Sequence, residues 1–287
     1  MSKPSGSKPG TSKPSASKPD ARAPVRKTGP GRPERPRRGP APTPEAPSPT
    51  GQGWLWGRHA VLAALANPER KPLRLVATED ALPALAPLAD MPQPQILDRD
   101  ALGLLLPPGA VHQGLALKAG PLKPVAVEDL IDRAAGTGQA VIVALDQVTD
   151  PRNVGAILRS AAAFGALGVI VPERHAPEIS GVLAKAASGA VEHVPLVRSV
   201  NLSRALEKLK GAGWWVVGLD GAAERSLAAH KLSGRIALVL GAEGDGLRRL
   251  TRDTCDLMAR LPTGGPVASL NVSNAAAAAL YELARER

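Results

Sequence analysis

The chain has 287 residues and a formal net charge of +10, from 36 Lys and Arg against 26 Asp and Glu. Residues 1–52 hold eleven basic and three acidic side chains, while 53–287 are nearly balanced, so the basic character alone does not argue for a nucleic-acid partner. No apolar run approaches the roughly 20 residues of a membrane helix, no apolar stretch follows the basic start as in a secretory signal, and a single cysteine, Cys255, excludes an internal disulfide or a CxxC metal site.

The five histidines show neither HExxH nor HxxxH spacing, so no metal is expected. One cysteine fits a reducing compartment, and we expect a cytoplasmic protein with no membrane partner. Six aromatic residues supply few platforms for stacking RNA bases.

The chain opens with Ser-Lys-Pro at 2–4, 7–9, 12–14 and 17–19, a period of five. Proline at each repeat blocks helix and ladder alike, and few apolar side chains offset the ordering entropy. Residues 1–52 are expected to be disordered, either as a solvated tail or as a phosphate-seeking arm. The regular prolines argue against the amphipathic helix of a transit peptide.

Order is expected from Trp54. GRHAVLAALANPER (57–70) carries a helical stripe stopped by Pro68. LRLVA (73–77) reads as a strand, ALPALAPLAD (81–90) as an interrupted helix and PQIL (94–97) as a strand. DRDALGLLL (98–106) reads as a helix and QGLALKA (113–119) as a strand. This makes a small α/β unit over 53–118, ended by a Pro/Gly linker at 119–124.

From 125 the alternation is regular. Strands are expected at 141–146, 167–171, 192–197, 214–219, 235–241 and 256–261. Helices are expected at 153–165, near 178–188, from Asn201, at 247–252 and at 271–286. Continuous apolar strands between helices mean a parallel sheet covered on both faces. Ligands of such sheets sit beyond the carboxyl ends of the strands, which directs attention to the loops 146–153, 241–247 and 261–273.

In the first loop Asn153 is a candidate helix cap. Arg159, six residues on among apolar neighbours, needs an anionic partner nearby. In the second loop, Gly241-x-x-Gly244-x-Gly246 is not the dinucleotide spacing and follows a late strand; it is either a tight turn or a close backbone approach to a ligand. In the third, Gly264 and Gly265 precede Ser269, Asn271 and Ser273, hydrogen-bonding groups that enter an Ala-rich helix.

The strings D-x-x-x-D-P-x-N-x-G-x-I-x-R-x-A (146–161), L-G-A-E-G-x-G-L (240–247) and P-x-x-G-x-V-x-S-L-N-V-S (262–273) together resemble the SpoU, or TrmH-like, RNA 2′-O-ribose methyltransferases. The resemblance covers about 125–287. GRHAVLAAL and GAVHQGLAL in the preceding unit resemble that family's ribosomal-protein-like RNA-binding extension. The whole of 53–287 most resembles the members that act on guanosine in bacterial 23S ribosomal RNA.

The resemblance implies an α/β fold with a parallel sheet and a C-terminal trefoil knot over 125–287, preceded by a small α/β RNA-binding domain at 53–118. It implies S-adenosylmethionine as cofactor, held near Gly241, Leu261 and Leu270. It implies Asn153, Arg159, Glu243, Ser269 and Asn271 as the functional polar residues, ribosomal RNA as partner, and a homodimer with the site near the subunit interface. Transfer RNA methylation by the same fold is the alternative enzyme reading; a noncatalytic RNA-binding assembly factor is the alternative outside the enzymes.

Three departures from the family pattern are Pro266 for Ser, Asn274 for an apolar residue and Thr263 for Met; Pro266 lacks a backbone donor in the cofactor loop.

A ribose 2′-OH is a poor nucleophile near neutral pH, so its deprotonation and in-line placement carry the burden. Arginine suits a phosphate clamp and alkoxide stabiliser better than a resting base, although the resemblance also implies a base role for Arg159. Glu243 is expected to fix its loop or to anchor Arg159, with Ser269 and Asn271 orienting ribose or cofactor. Attack at a pyrimidine C5 needs a cysteine nucleophile, and Cys255 lies outside the three loops.

Overall fold

The computed structural model describes residues 53–266 and 269–285. The expectation for 1–52 lies outside them.

Two sheets organise the chain. The first uses β1 (Trp54–Trp56), β2 (Pro72–Ala77), β3 (Gln95–Ile96) and β4 (Leu115–Ala119), in the order β1-β4-β2-β3. Strand β4 pairs antiparallel with β1 and β2, while β2 and β3 run parallel. Between them lie α1 (Arg58–Ala66) and α2 (Arg99–Leu104). Asp98 caps α2, its Oδ1 accepting from Ala101 N at 2.7 Å.

The interrupted helix expected at 81–90 is instead a 3₁₀ turn at Glu79–Ala84. Pro83 and Pro87 lack the N–H groups that an α-helix there would need.

The second sheet uses β5 (Ala140–Asp146), β6 (Val169–Pro172), β7 (Leu196–Ser199), β8 (Trp215–Leu219), β9 (Arg235–Gly241) and β10 (Leu257–Ala259). Its order is β10-β8-β9-β5-β6-β7 and every pairing is parallel. The helices are α3 (Val127–Arg133), α4 (Pro151–Ala163), α5 (Gly181–Ala187), α6 (Leu202–Gly211), α7 (Arg249–Thr254) and α8 (Val272–Ala284).

Strand β5 shows why the sheet is covered twice. All seven of its residues are buried. Val141, Val143 and Leu145 enter a core with Ile157 and Leu158 of α4, Leu183 of α5 and Ala276 of α8. Ala140, Ile142 and Ala144 enter the opposite core, with Leu130 of α3 and Leu206 and Leu209 of α6. Period-two alternation thus feeds both faces with apolar side chains.

Helix α3 and strand β1 were not expected. The spacing of Val127, Leu130 and Ala134 is helical, and Asp129 Oδ2 accepts from Ala126 N at 2.7 Å to close the first turn. The strand expected at 192–197 begins only at Leu196. A 3₁₀ turn at Ala190–Glu192 precedes it, closed by Val194 N donating to Ala190 O at 2.9 Å.

The two sheets share a buried seam. Ala184 of α5 joins the core of Leu55, Val61, Leu75 and Leu117, and Trp56 packs against Gly181. Beside it, Arg70 and Glu192 form an ion pair at 2.6 Å whose side chains are 4% and 3% exposed. Asn67 Nδ2 donates to the same carboxylate at 2.8 Å, and Arg70 Nη1 donates to Gly120 O at 2.9 Å. A buried pair of this kind is tolerated because its remaining donors and acceptors are also satisfied.

Candidate active site

The carboxyl ends of β8, β9 and β5 lie side by side, so the segments that follow them are neighbours although far apart in sequence. The first local determinant is the start of α4. Asp150 caps that helix, its Oδ1 accepting from Arg152 N at 2.9 Å, and Pro151 occupies the first turn, where its missing N–H costs nothing. The cap expected at Asn153 is therefore corrected to Asp150. Asn153 sits inside the first turn, free of capping duty, and its side chain reaches the β9 loop.

Three of the anticipated residues meet there. Glu243 Oε1 accepts from Asn271 Nδ2 at 2.5 Å, from Asn153 Nδ2 at 3.3 Å and from the Val272 backbone at 3.3 Å. Asn271 Nδ2 also donates to Asn153 Oδ1 at 3.1 Å. Asn271 Oδ1 meanwhile accepts from Ser273 N at 2.9 Å and Ser273 Oγ at 2.6 Å, capping α8.

A carboxylate only accepts, so both amides must turn their nitrogens toward Glu243. The orientations of Asn153 and Asn271 follow, and three loops are tied into one ring of hydrogen bonds.

Beside this ring lies a cavity of about 260 Å³, walled by Leu219, Leu240, Gly241, Leu261, Leu270 and Val272, with Glu243 and Ser269 at its edge. The anticipated Gly241, Leu261 and Leu270 all line it. At Gly241 the backbone of Gly246 approaches so closely that an added Cβ would stand 2.1 Å from its carbonyl, and Gly246 N donates to Ala242 O at 3.0 Å. The glycine-rich segment is thus a tight turn that also forms the wall of a cavity.

Arg159 is not part of this ring and does not line the cavity. Ile157, Leu158 and Ala161 turn into the core while Arg159 is exposed, about 9 Å farther along α4 than Asn153 at the helical rise. Among the described residues it makes no ion pair. No described residue supplies the anionic partner expected for it, and Glu243 anchors the two asparagines rather than Arg159.

Residues that the sequence reading passed over complete the site. Asp146, fully buried at the end of β5, accepts from Arg248 N at 3.0 Å and Nε at 2.7 Å, fixing the return of the β9 loop. Asp220, at the end of β8, lines the cavity and pairs with Arg252. The Ala222 N–H and Arg252 hold its carboxyl below the usual range despite partial burial. The available signal was positional: VIVALD and WWVVGLD both end an apolar strand on an aspartate.

Among the described residues no cluster of His, Cys, Asp and Glu stands ready to hold a metal ion, and no helix is long and apolar enough to cross a membrane. Burial pushes the Cys255 thiol up to about 12, and its Sγ donates to Thr251 O, which removes it as a nucleophile.

Comparison with known proteins places this geometry. Residues 140–281 match the SpoU rRNA methylase family. The chain is 40% identical over 244 residues to the 23S rRNA (guanosine-2′-O-)-methyltransferase RlmB of Escherichia coli K12, covering 81% of this chain and 98% of that protein. Against the enzyme of the same name from Xylella fastidiosa identity is 47% over 180 residues, covering 62% and 72%.

The crystal structure of the SpoU methyltransferase AviRb from Streptomyces viridochromogenes, in complex with AdoMet, superposes with a TM-score of 0.67 at 24% identity, covering 81% of this chain and 89% of that one; it shares the α/β fold with its parallel sheet. With nearly the full length of the Escherichia coli protein matched at this identity, the chain belongs to the SpoU rRNA methylase family.

Proposed function

We propose that this protein transfers a methyl group from S-adenosylmethionine to the ribose 2′-OH of a guanosine in 23S ribosomal RNA. The observation that carries the reading is the 40% identity to a 23S rRNA guanosine methyltransferase across 98% of its length. It is joined to a cavity that abuts the Asn153–Glu243–Asn271 ring.

The cavity fits the cofactor by its donor set. Leu219, Leu240, Leu261 and Leu270 offer apolar walls to an adenine ring, while Asp220 and Glu243 add negative charge suited to a sulfonium cation. When bound, S-adenosylmethionine supplies an electrophilic methyl group. Gly241, Leu261 and Leu270 would hold it.

Glu243 Oε1 is committed to the asparagines, and its Oε2 makes no hydrogen bond among the described residues. That oxygen is placed to accept a proton or hydrogen bond from the ribose. Ser269 and Asn271 orient the reacting groups at the cavity rim. Arg159, exposed on α4 and without an ion pair among the described residues, grips the adjacent phosphate and stabilises charge that develops on the 2′-oxygen.

The finer architecture follows the same reading. Strand β10 lies beside β8 at one edge of the sheet while α8 packs on α4, an arrangement that supports the C-terminal trefoil knot. Residues 53–118 act as the ribosomal-protein-like RNA-binding domain and 125–287 as the methyltransferase. Exposed Leu270 and Tyr281 on and beside α8 support a homodimer.

Mapping 2′-O-methyl sites in 23S ribosomal RNA and transfer RNA after incubation with purified protein tests the reading. One methylated guanosine in 23S RNA is expected. Methylation confined to transfer RNA, or none, overturns it.

A further inference from the structure

The strings GRHAVLAAL and GAVHQGLAL lie more than 40 residues apart, yet the fold joins them at one point. Gly57 N donates to Leu115 O at 3.2 Å, and Arg58 N donates to Gln113 Oε1 at 3.2 Å. Gln113 holds φ at 55°, in the left-handed region that non-glycine residues seldom occupy. The same Oε1 accepts from Lys185 Nζ at 3.3 Å, and Lys185 belongs to α5, in the layer of the other sheet. Residues from both halves therefore meet on a single amide oxygen.

Two side chains at this point, Gln113 and His112, offer donors. With Oε1 taken by two N–H groups, the Gln113 Nε2 group makes no hydrogen bond among the described residues. His112 Nδ1 accepts from Gly114 N at 3.1 Å, which leaves the ring hydrogen on Nε2. Burial, then the charge of Arg99, pulls His112 below its ordinary pKa, toward the neutral donor form.

Arg58 and Lys185 have no carboxylate partner among the described residues. Burial pulls Lys185 down as well, the cost of an ammonium held there without an anion. The one acid that acts on His112, Asp80, is engaged by Arg99 at 2.6 Å.

We propose that His112, Gln113 and Lys185, next to the exposed Arg58, form a phosphodiester-binding site that seats the RNA substrate across the seam between the two sheets. The inference rests on the RNA methyltransferase reading above and deepens it. A lysine ammonium beside two neutral N–H donors, with an exposed arginine on the adjoining segment, matches the closely spaced phosphate and ribose oxygens of RNA.

The site is also coupled to the chemistry. Helices α5 and α4 pack so closely that a Cβ on Gly155 would stand 2.5 Å from Leu183 O, two residues before Lys185. Helix α4 carries Asn153 and Arg159. RNA held on Lys185 is thus one helix away from the residues that act on its ribose.

Two variants of the full chain test the site. Lys185→Met keeps an apolar stem and removes the charge. Gln113→Gly removes the amide donors at a backbone position that glycine adopts without strain. RNA affinity is measured with in-vitro-transcribed 23S ribosomal RNA across a series of KCl concentrations. Melting temperature and S-adenosylmethionine affinity report on the fold.

For Lys185→Met we expect a salt slope lower by about 0.7 to 0.9 and roughly tenfold weaker binding. For Gln113→Gly we expect roughly fivefold weaker binding in a folded protein whose melting temperature falls by a few degrees at most, because relief of the left-handed backbone offsets part of the lost hydrogen bonding. Parent affinity and slope in folded variants overturn the site; if Lys185→Met fails to fold, Gln113→Gly decides alone. Equally tight competition by polyglutamate overturns it in favour of an acidic protein partner. A parent that binds 23S RNA through these residues but methylates none of it leaves the site standing and sinks the assigned activity. A parent that binds no RNA sinks both.

Discussion

Arg159 and Asn153 share one helix and have opposite fates. Asn153 is locked to Glu243 and Asn271, whereas Arg159 is exposed and makes no ion pair among the described residues, on a helix that buries Ile157 and Leu158. On the proposed reading, an Arg159 with no ion pair among the described residues is available to a phosphate. Arg159→Ala should leave fold and S-adenosylmethionine affinity intact and slow single-turnover methyl transfer by about a hundredfold or more. Arg159→Lys should rescue poorly, since an ammonium lacks the planar fork. Transfer by the alanine variant at the parent rate would make Arg159 structural.

Cys255 carries the opposite lesson. Desolvation first, then the neighbouring Asp256 charge, raises its thiol to about 12. The unfolded thiol ionises near 8.5, so the folded state favours the protonated form and the raised pKa stabilises it below about pH 9. That contribution is lost as pH climbs from about 9 through 12. Native protein at pH 8 should resist iodoacetamide, with labelling appearing only in denaturant. Rapid alkylation of the native chain would contradict the assigned burial.

Among the elements, the turn from β9 to α7 has the least room for change. Its floor is set by Gly241 against Gly246, and its far end by Asp146 holding Arg248. Gly241→Ala should force the Gly246 backbone outward, because a Cβ 2.1 Å from that carbonyl cannot be accommodated by rotating a side chain. We expect cofactor affinity to fall at least tenfold in calorimetry while the rest of the sheet stays folded by circular dichroism. Unchanged affinity would separate the turn from cofactor binding.

For the molecule as a whole, the seam between the sheets is as consequential as either sheet. Arg70 reaches from the end of α1 to Glu192, and both are almost fully enclosed. Arg70→Met would leave the Glu192 carboxylate buried with only Asn67 to satisfy it. We expect a loss on the order of 3 kcal/mol, the scale for an uncompensated buried charge, read as a lower denaturation midpoint. S-adenosylmethionine affinity should hold, because the cavity is lined entirely by residues between Leu219 and Ala275. A drop in cofactor affinity in a folded variant would mean that the seam shapes the cavity.

The sequence by itself determined the alternation of apolar strands and helices in the second half and the three loops that the fold brings together. Strand β9 was legible residue for residue, because a fully buried parallel strand is a continuous apolar run. Gly241, Leu261 and Leu270 came from the family resemblance rather than from local spacing, and the fold brings all three to the wall of one cavity.

Only the tertiary structure decided the rest. The order β10-β8-β9-β5-β6-β7 departs from chain order, and local periodicity carries no record of which strand becomes a neighbour. Residues 153, 243 and 271 share hydrogen bonds because crossovers bring three strand ends together. Capping at α4 passed to Asp150 because Pro151 shifted the helix start, which released Asn153 for the site. Arg159 faces outward because its apolar neighbours claim the core. Gln113 and Lys185 meet because packing α1 and β1 on α5 buries more apolar surface than either half covers alone.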